Sequence, residues 1–264
     1  MVNWTTSKLI GLKGKRKITV LTAYDYPAAK LIDEAGIPVI LVGDSLGMTV
    51  LGYDSTVPVT MEQMLHHVKA VTRAVKQSLV IADMPFGSYQ NPSMALANAT
   101  RFMKEAGAHA VKLEGGKTQV EIIRCLRDNG IPVCGHIGLT PQHVHALGGY
   151  RVQGRGSEAA EKLKKDARAL QDAGVFAMVL EVIPKDLAAE ITEEISVPTI
   201  GIGAGPDCDG QVLVLNDLLG QNSELHPKFV KAYADIETTM REAFSQFRKE
   251  VEGGDFPETK HSYD

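Results

Sequence analysis

The chain has 264 residues, 44% hydrophobic and 23% charged, with a net charge of −4. That length fits one large domain with a sizeable core. The slightly acidic balance, with no basic run beyond the short Lys13–Lys17 cluster, argues against nucleic acid as the main partner. No apolar stretch is long enough to span a bilayer and the first residues lack a signal-peptide core, so no membrane partner is expected. Cys125, Cys134 and Cys208 are too widely spaced for a disulfide framework or a zinc site, and free thiols in a cytoplasmic protein are expected.

Short apolar runs alternate with segments of helical period along most of the chain. The predicted strands cover Ile18 to Tyr24, Pro38 to Asp44, Leu79 to Met84, Ala110 to Glu114 and Pro132 to Ile137, then Phe176 to Val182, Pro198 to Ile202 and Val212 to Asn216. Their near-continuous Val, Ile, Leu and Ala content is that of parallel strands covered on both faces. Predicted helices fill the gaps at Met61 to Lys76, Ser93 to Ala106, Thr118 to Asp128 and Ser157 to Gln171. In the first of these, Met64, Leu65, Val68, Val71 and Val75 share one face. Asp25, in Ala23-Tyr-Asp-Tyr-Pro27, reads as the cap of the helix that follows. About eight βα units predict a (β/α)8 barrel, residues 1–264 as a single domain, with a C-terminal helical tail over Pro227 to Phe247.

Polar residues sit at the carboxyl ends of the apolar strands: Tyr24-Asp25, Asp44-Ser45, Asp83, Lys112 with Glu114, His136 and Glu181. In a barrel these ends converge on one mouth, whereas an open doubly wound sheet gathers them only near its switch point. Asp44, Asp83 and Glu114 end successive strands and would repel one another unless a cation lay between them. Oxygen donors without a cysteine or a paired-histidine motif suit Mg2+ better than Zn2+. Lys112 and Glu114, two apart, point the same way, so the lysine requires a carboxylate partner, either the substrate's or Glu114 itself. Glu181, ending a strongly apolar strand, suits a general base. His136 is either a substrate contact or a core histidine with satisfied partners. His143 and His145 have no metal-ligand spacing around them and read as part of a mobile loop. The Gly201–Gly205 run suits either phosphate binding or close backbone packing.

These motifs together resemble a known family. Leu21-Thr-Ala-Tyr-Asp25, Val42-Gly-Asp-Ser-Leu-Gly47, Ala82-Asp-Met-Pro-Phe-Gly87, Val111-Lys-Leu-Glu-Gly115 and Gly135-His-Ile-Gly-Leu-Thr-Pro-Gln142 are similar to those of the ketopantoate hydroxymethyltransferases. Gly148-Gly-Tyr150, Val152-Gln-Gly154, Asp209-Gly-Gln211 and, in the tail, Phe256-Pro extend the likeness over almost the whole chain. The resemblance implies a (β/α)8 barrel in the pathway to pantothenate and coenzyme A. It implies Mg2+ and transfer of a hydroxymethyl unit from 5,10-methylenetetrahydrofolate to 3-methyl-2-oxobutanoate. It also implies that Asp44 and Asp83 ligate the metal, with Glu114 completing the site directly or through water. Ser45 and Lys112 then contact the oxo acid and Glu181 accepts the proton; Asp44, Asp83 and, from its position at a strand end, His136 are the further expected substrate contacts. A ring-like homodecamer is the implied assembly.

Two rival readings follow from the same residues. Lyases of the isocitrate lyase and phosphoenolpyruvate mutase type also gather acidic residues around Mg2+ on barrel strands, and Cys134-Gly-His136 is similar to their cysteine loop. Here, however, the cysteine falls inside a predicted strand. A non-enzymatic binding barrel would need no metal site and would tolerate alanine at Asp44 or Asp83.

Overall fold

In the computed structural model, which describes residues 3–221 and 227–264, the chain forms two compact units, Met1–Val214 and Leu215–Asp264. The first holds strands β1 (Ile18–Thr22), β2 (Val39–Val42), β3 (Leu79–Asp83), β4 (Ala110–Glu114), β5 (Val133–Gly138), β6 (Ala177–Glu181), β7 (Thr199–Ile202) and β8 (Gly210–Leu213). All pair in parallel in sequence order, and β8 pairs with β1 to close the barrel. Helices α1 (Thr6–Ile10), α2 (Tyr26–Glu34), α3 (Leu46–Thr49), α4 (Met61–Ala74) and α5 (Pro92–Lys104) alternate with the first strands. Helices α6 (Val120–Asp128), α7 (Val144–Leu147), α8 (Ser157–Ala173) and α9 (Lys185–Glu194) alternate with the later ones. The fold is a (β/α)8 barrel, as the strand spacing predicts.

Local chemistry sets the helix starts. The Asp25 carboxylate accepts from Ala28 N at 2.8 Å and caps α2, and Thr60 with Gln63 forms a reciprocal capping box at α4. On α4, Met64, Leu65, Val68 and Val71 are buried as expected, each contributing about 1.5–3 kcal/mol of transfer free energy. Val75 has extended backbone (ψ 132°) and ends the helix instead of extending its face.

The barrel interior below the mouth is apolar. Ile18, Val20, Val39, Leu41, Leu79, Ile81, Val179, Ile200 and Val212 pack there, and Leu9 of α1, with Trp4 and Leu12, packs against this cluster. The Lys13–Lys17 cluster serves structure at the end where the strands begin. Lys13 Nζ contacts Asp209 at 2.7 Å and the Thr192 carbonyl at 2.8 Å.

Two sequence expectations shift. The last strand begins at Gly210, two residues before the predicted start, and Leu215–Leu218 is helical (α10). Gly210 aligns with both Ile18 and Ile200, and a Cβ there would collide with the Ile18 carbonyl. Closure of the barrel therefore selects a glycine, a residue that strand propensity counts against. In the second unit the long helix α11 spans Ile236–Gly253, starting nine residues after the predicted Pro227. The Asp235 side chain accepts from Thr238 N at 3.1 Å and fixes that start, while Gly254 ends the helix with φ 80°. The polar end of the chain contains a short 3-10 turn at Thr259–His261. Among the described residues no helix is long and apolar enough to cross a membrane.

Candidate active site

Strand alternation decides which side chains reach the barrel axis. Leu79 and Ile81 on β3, Ala110 on β4, Cys134 on β5, and Ala177 and Val179 on β6 belong to the interior cluster. Stepping by two along those strands leads to Asp83, Lys112, Glu114, His136 and Glu181 at the mouth. Register then brings these residues side by side. Asp83 aligns with Lys112, Glu114 with His136, and Gly138 with Glu181.

Lys112 Nζ donates to both Asp83 carboxylate oxygens at 2.7 Å and lies 3.9 Å from Glu114 Oε1. Its partner is therefore chiefly Asp83 on the neighbouring strand. His136 sits between two carboxylates, with Nδ1 3.4 Å from Glu114 Oε1 and Nε2 3.3 Å from Glu181 Oε2. Neither ring nitrogen has an aligned hydrogen bond, so these are charge contacts. Asp44, just past β2, is buried beside Asp83, whose Oδ2 accepts from the Asp44 backbone N–H at 3.4 Å. Of the four carboxylates, only Glu181 is partly open, with its side chain 18% exposed.

Burial and mutual charge govern protonation here. Asp44 is pushed well above the usual carboxylate range by burial first, then by the charges of Asp83 and Glu114. Burial also lifts Asp83 despite its contact with Lys112. Burial would lower Lys112, but Asp83, Glu114 and Asp44 outweigh it and hold the ammonium protonated. Two 2.7 Å bonds from one ammonium to both oxygens are the geometry of an ionised pair, and we assign Asp83–Lys112 as such. Burial and Lys112 act to lower His136, yet Glu114 and Glu181 prevail and push it up to about 9. Glu114 is lowered: burial opposes ionisation, but His136, Lys112 and the Gln142 backbone amide overcome it.

The donor set bears on a metal. Among the described residues no three His, Cys, Asp or Glu side chains converge as ready ligands. Glu114 is turned away, with Oε1 towards His136 and Oε2 accepting from Gln142 N at 3.1 Å. Asp44 and Asp83 form an adjacent pair in a cluster of four carboxylates that Lys112 alone does not balance. Two carboxylates completed by substrate oxygens and water are the usual Mg2+ arrangement. The residues fit such an ion.

The remaining predicted residues fall into place locally. Ser45 precedes α3 without capping it, and its Oγ instead pairs with Tyr24 Oη at 2.9 Å. His143 and His145 lie in a 3-10 turn (Pro141–His143) and in α7, in the segment after β5. Cys134 is inside β5, buried, and burial pushes its thiol up to about 12, so it is no nucleophile. In the Gly201–Gly205 run, Gly203 and Gly205 have positive φ, and a Cβ on Gly205 would strike Lys185, which favours close packing. Val182, just after Glu181, holds φ 48°, a strained value for a β-branched residue. Its amide donates to the Ile202 carbonyl at 2.8 Å and its carbonyl accepts from Gln153 N at 3.0 Å, which keeps the turn beneath the glutamate fixed.

Strand reading missed Gln142 and Tyr89, because neither lies on a strand. The Gln142 amide donates to Asp44 Oδ2 at 2.8 Å and to the Met84 carbonyl at 2.9 Å, and its oxygen accepts from Tyr89 Oη at 2.5 Å. The available signal was the Thr140-Pro-Gln142 sequence in the segment just after the strand that carries His136.

Comparison with known proteins identifies the family. The family model described as ketopantoate hydroxymethyltransferase matches residues 3–259. A 3-methyl-2-oxobutanoate hydroxymethyltransferase from Carboxydothermus hydrogenoformans is 60% identical over 98% of this chain and 95% of its own. A protein of the same name from Syntrophus aciditrophicus is 54% identical over 98% of this chain and 96% of its own. Among solved structures, phosphonopyruvate hydrolase in complex with oxalate and Mg++ superposes with a TM-score of 0.66 at 16% identity, covering 100% of this chain and 92% of the other. A 2,3-dimethylmalate lyase, a PEP mutase/isocitrate lyase superfamily member, gives 0.66 at 18% identity, covering 95% and 86%. At that identity the two structures share the fold alone. With the family model spanning nearly the whole chain, this protein belongs to the ketopantoate hydroxymethyltransferase family.

Proposed function

We propose that the chain transfers a hydroxymethyl group from 5,10-methylenetetrahydrofolate to C3 of 3-methyl-2-oxobutanoate, giving 2-dehydropantoate, with Mg2+ as the metal. The observation that carries the reading is the mouth cluster. Four carboxylates there face one ammonium and one imidazole, and only Glu181 opens towards an incoming substrate. Identity of 60% to a relative bearing that activity supports the substrate assignment.

Asp44 and Asp83 would hold the ion, and Glu114 would hold a water beside it. Bound there, Mg2+ supplies a Lewis acid next to the 2-oxo group. Lys112 spends two of its three N–H bonds on Asp83 and keeps one for the substrate carboxylate, which fixes the oxo acid's orientation. Ser45, paired with Tyr24, offers a second polar contact to the oxo acid. Glu181 takes the C3 proton, and His136 Nε2, 3.3 Å from its Oε2, holds the carboxylate in place. The C3 carbon then attacks the one-carbon unit released from the folate, and water supplies the hydroxyl oxygen.

The same reading places the enzyme in the cytoplasm as a homodecamer. Helix α11 supports assembly, since it has no buried residue and exposes Met240, Phe244, Phe247 and Val251. Sedimentation of the native protein tests the stoichiometry. The activity is tested by following 2-dehydropantoate formation with and without EDTA. Product that forms with Mg2+, vanishes with EDTA and returns with excess Mg2+ is expected. Equal product in EDTA would remove the metal from the reading, and no product under any condition would remove the transferase.

A further inference from the structure

We propose that Gln142 is a positioning residue for this reaction, a neutral amide clamp that seats Asp44 and Glu114 for the metal, with Tyr89 fixing the direction in which the amide points. The proposal rests on the metal and substrate assignment made above.

Gln142 is 2% exposed and stands in the turn after β5. Its side chain spans to Asp44 past β2 and to the Met84 carbonyl past β3, while its backbone N–H reaches Glu114 on β4. One residue thus ties together three successive strand ends, each of which carries a carboxylate of the site. Both N–H donors of the amide and its oxygen have directed partners. The nitrogen faces two acceptors, and the oxygen faces the Tyr89 hydroxyl. Flipping the amide would set its oxygen against the Asp44 carboxylate and the Met84 carbonyl, so the orientation is fixed by its partners. Tyr89 is buried, and its hydroxyl also accepts from Glu114 N at 3.3 Å, so the phenol belongs to the same network.

Neutrality is the informative property. An arginine or lysine here would neutralise Asp44 and compete with a cation, and a glutamate would add another negative charge to an already crowded cluster. An amide holds Asp44 Oδ2 while leaving the carboxylate charge and its Oδ1 for a ligand. Groups that orient ligating carboxylates from behind commonly alter metal affinity when removed. A strut that merely supported the fold would alter stability and leave metal affinity unchanged.

The test compares wild type with Gln142→Met, which keeps the side-chain length without donors, and with Tyr89→Phe, which removes one oxygen. Mn2+ binding is read from the free-ion electron paramagnetic resonance signal, alongside KM for Mg2+ and for the oxo acid, kcat at saturation, and a thermal melt. We expect Gln142→Met to weaken Mn2+ binding about tenfold and to raise KM for Mg2+ by a similar factor, with kcat at saturating Mg2+ falling less than about threefold. Tyr89→Phe should move the same quantities by roughly three- to fivefold, and the double variant should be no weaker than Gln142→Met alone, since both act through one amide. If Gln142→Met does not fold, Tyr89→Phe decides. Mn2+ affinity and KM within about twofold of wild type in a folded variant would overturn the clamp while leaving the wild-type activity and metal reading intact. Failure of the wild type itself to bind Mn2+ would overturn both.

Discussion

Replacing Lys112 with methionine removes the one cation held directly against Asp83 and leaves a hydrophobic stem of similar length. Asp83 is 1% exposed, and both of its oxygens take 2.7 Å bonds from the lysine, so the variant strands a buried carboxylate. Breaking a buried pair by deleting one partner costs about 3–5 kcal/mol. For a domain of this size each kcal/mol moves Tm by about 2–4 °C, so the melt should fall by roughly 6–20 °C. The sign with pH follows from the raised lysine. Because folding holds Lys112 protonated above its ordinary value, its contribution is fully present below about pH 10 and is lost only as pH rises through the folded value. In the variant, Asp83 can escape by taking up a proton, so the deficit should shrink in acid. Calorimetry at pH 5 and pH 8 on wild type and variant reads both effects. A Tm within about 2 °C of wild type at pH 8 would refute the ion-pair argument.

Asp33, buried on α2, accepts from Lys76 N, Gln77 N, Ser78 N and Ser78 Oγ in the segment between α4 and β3, at 2.7–3.0 Å. Burial opposes its ionisation, yet these bonds win and its carboxyl lies below the ordinary value, so its contribution is present at neutral pH and lost as pH falls through the folded value. Asp33→Ala should cost about 1–3 kcal/mol by urea denaturation at pH 7, and the gap to wild type should narrow below about pH 4. Gly210→Ala forces a Cβ against the Ile18 carbonyl and the Ile200 side chain, and should cost about 1–3 kcal/mol in the same assay. Cys134, buried with its thiol pushed up to about 12, should resist iodoacetamide in the native protein at pH 8 and react only on unfolding, as peptide mass mapping would reveal. Rapid native labelling at Cys134 would restore the cysteine-loop comparison.

The strand ends were legible because parallel strands covered on both faces leave few places for charge. Asp83, Lys112, Glu114, His136 and Glu181 interrupt apolar runs at the position where a barrel opens, and alternation fixes their inward direction. Their pairings were less legible, because register is set between strands. The sequence places Lys112 two residues from Glu114, but the neighbouring strand brings Asp83 closer. Gln142 and Tyr89 were hidden for a further reason: loop residues carry no periodicity, and their partners lie 98 and 53 positions apart in the chain. The start of β8 was missed because a close backbone approach required glycine there, and α11 was placed too early because its Asp235 cap was not recognised.

Proton exchange at C3 of 3-methyl-2-oxobutanoate, followed by NMR in D2O with Mg2+ and without folate, isolates the step assigned to Glu181. The wild type should exchange the C3 proton. Glu181→Gln, which preserves shape and leaves Asp44 and Asp83 untouched, should lose about 10²–10⁴-fold of that rate while still binding Mn2+. Wild-type exchange in Glu181→Gln would contradict the account, because proton removal would then belong to another group.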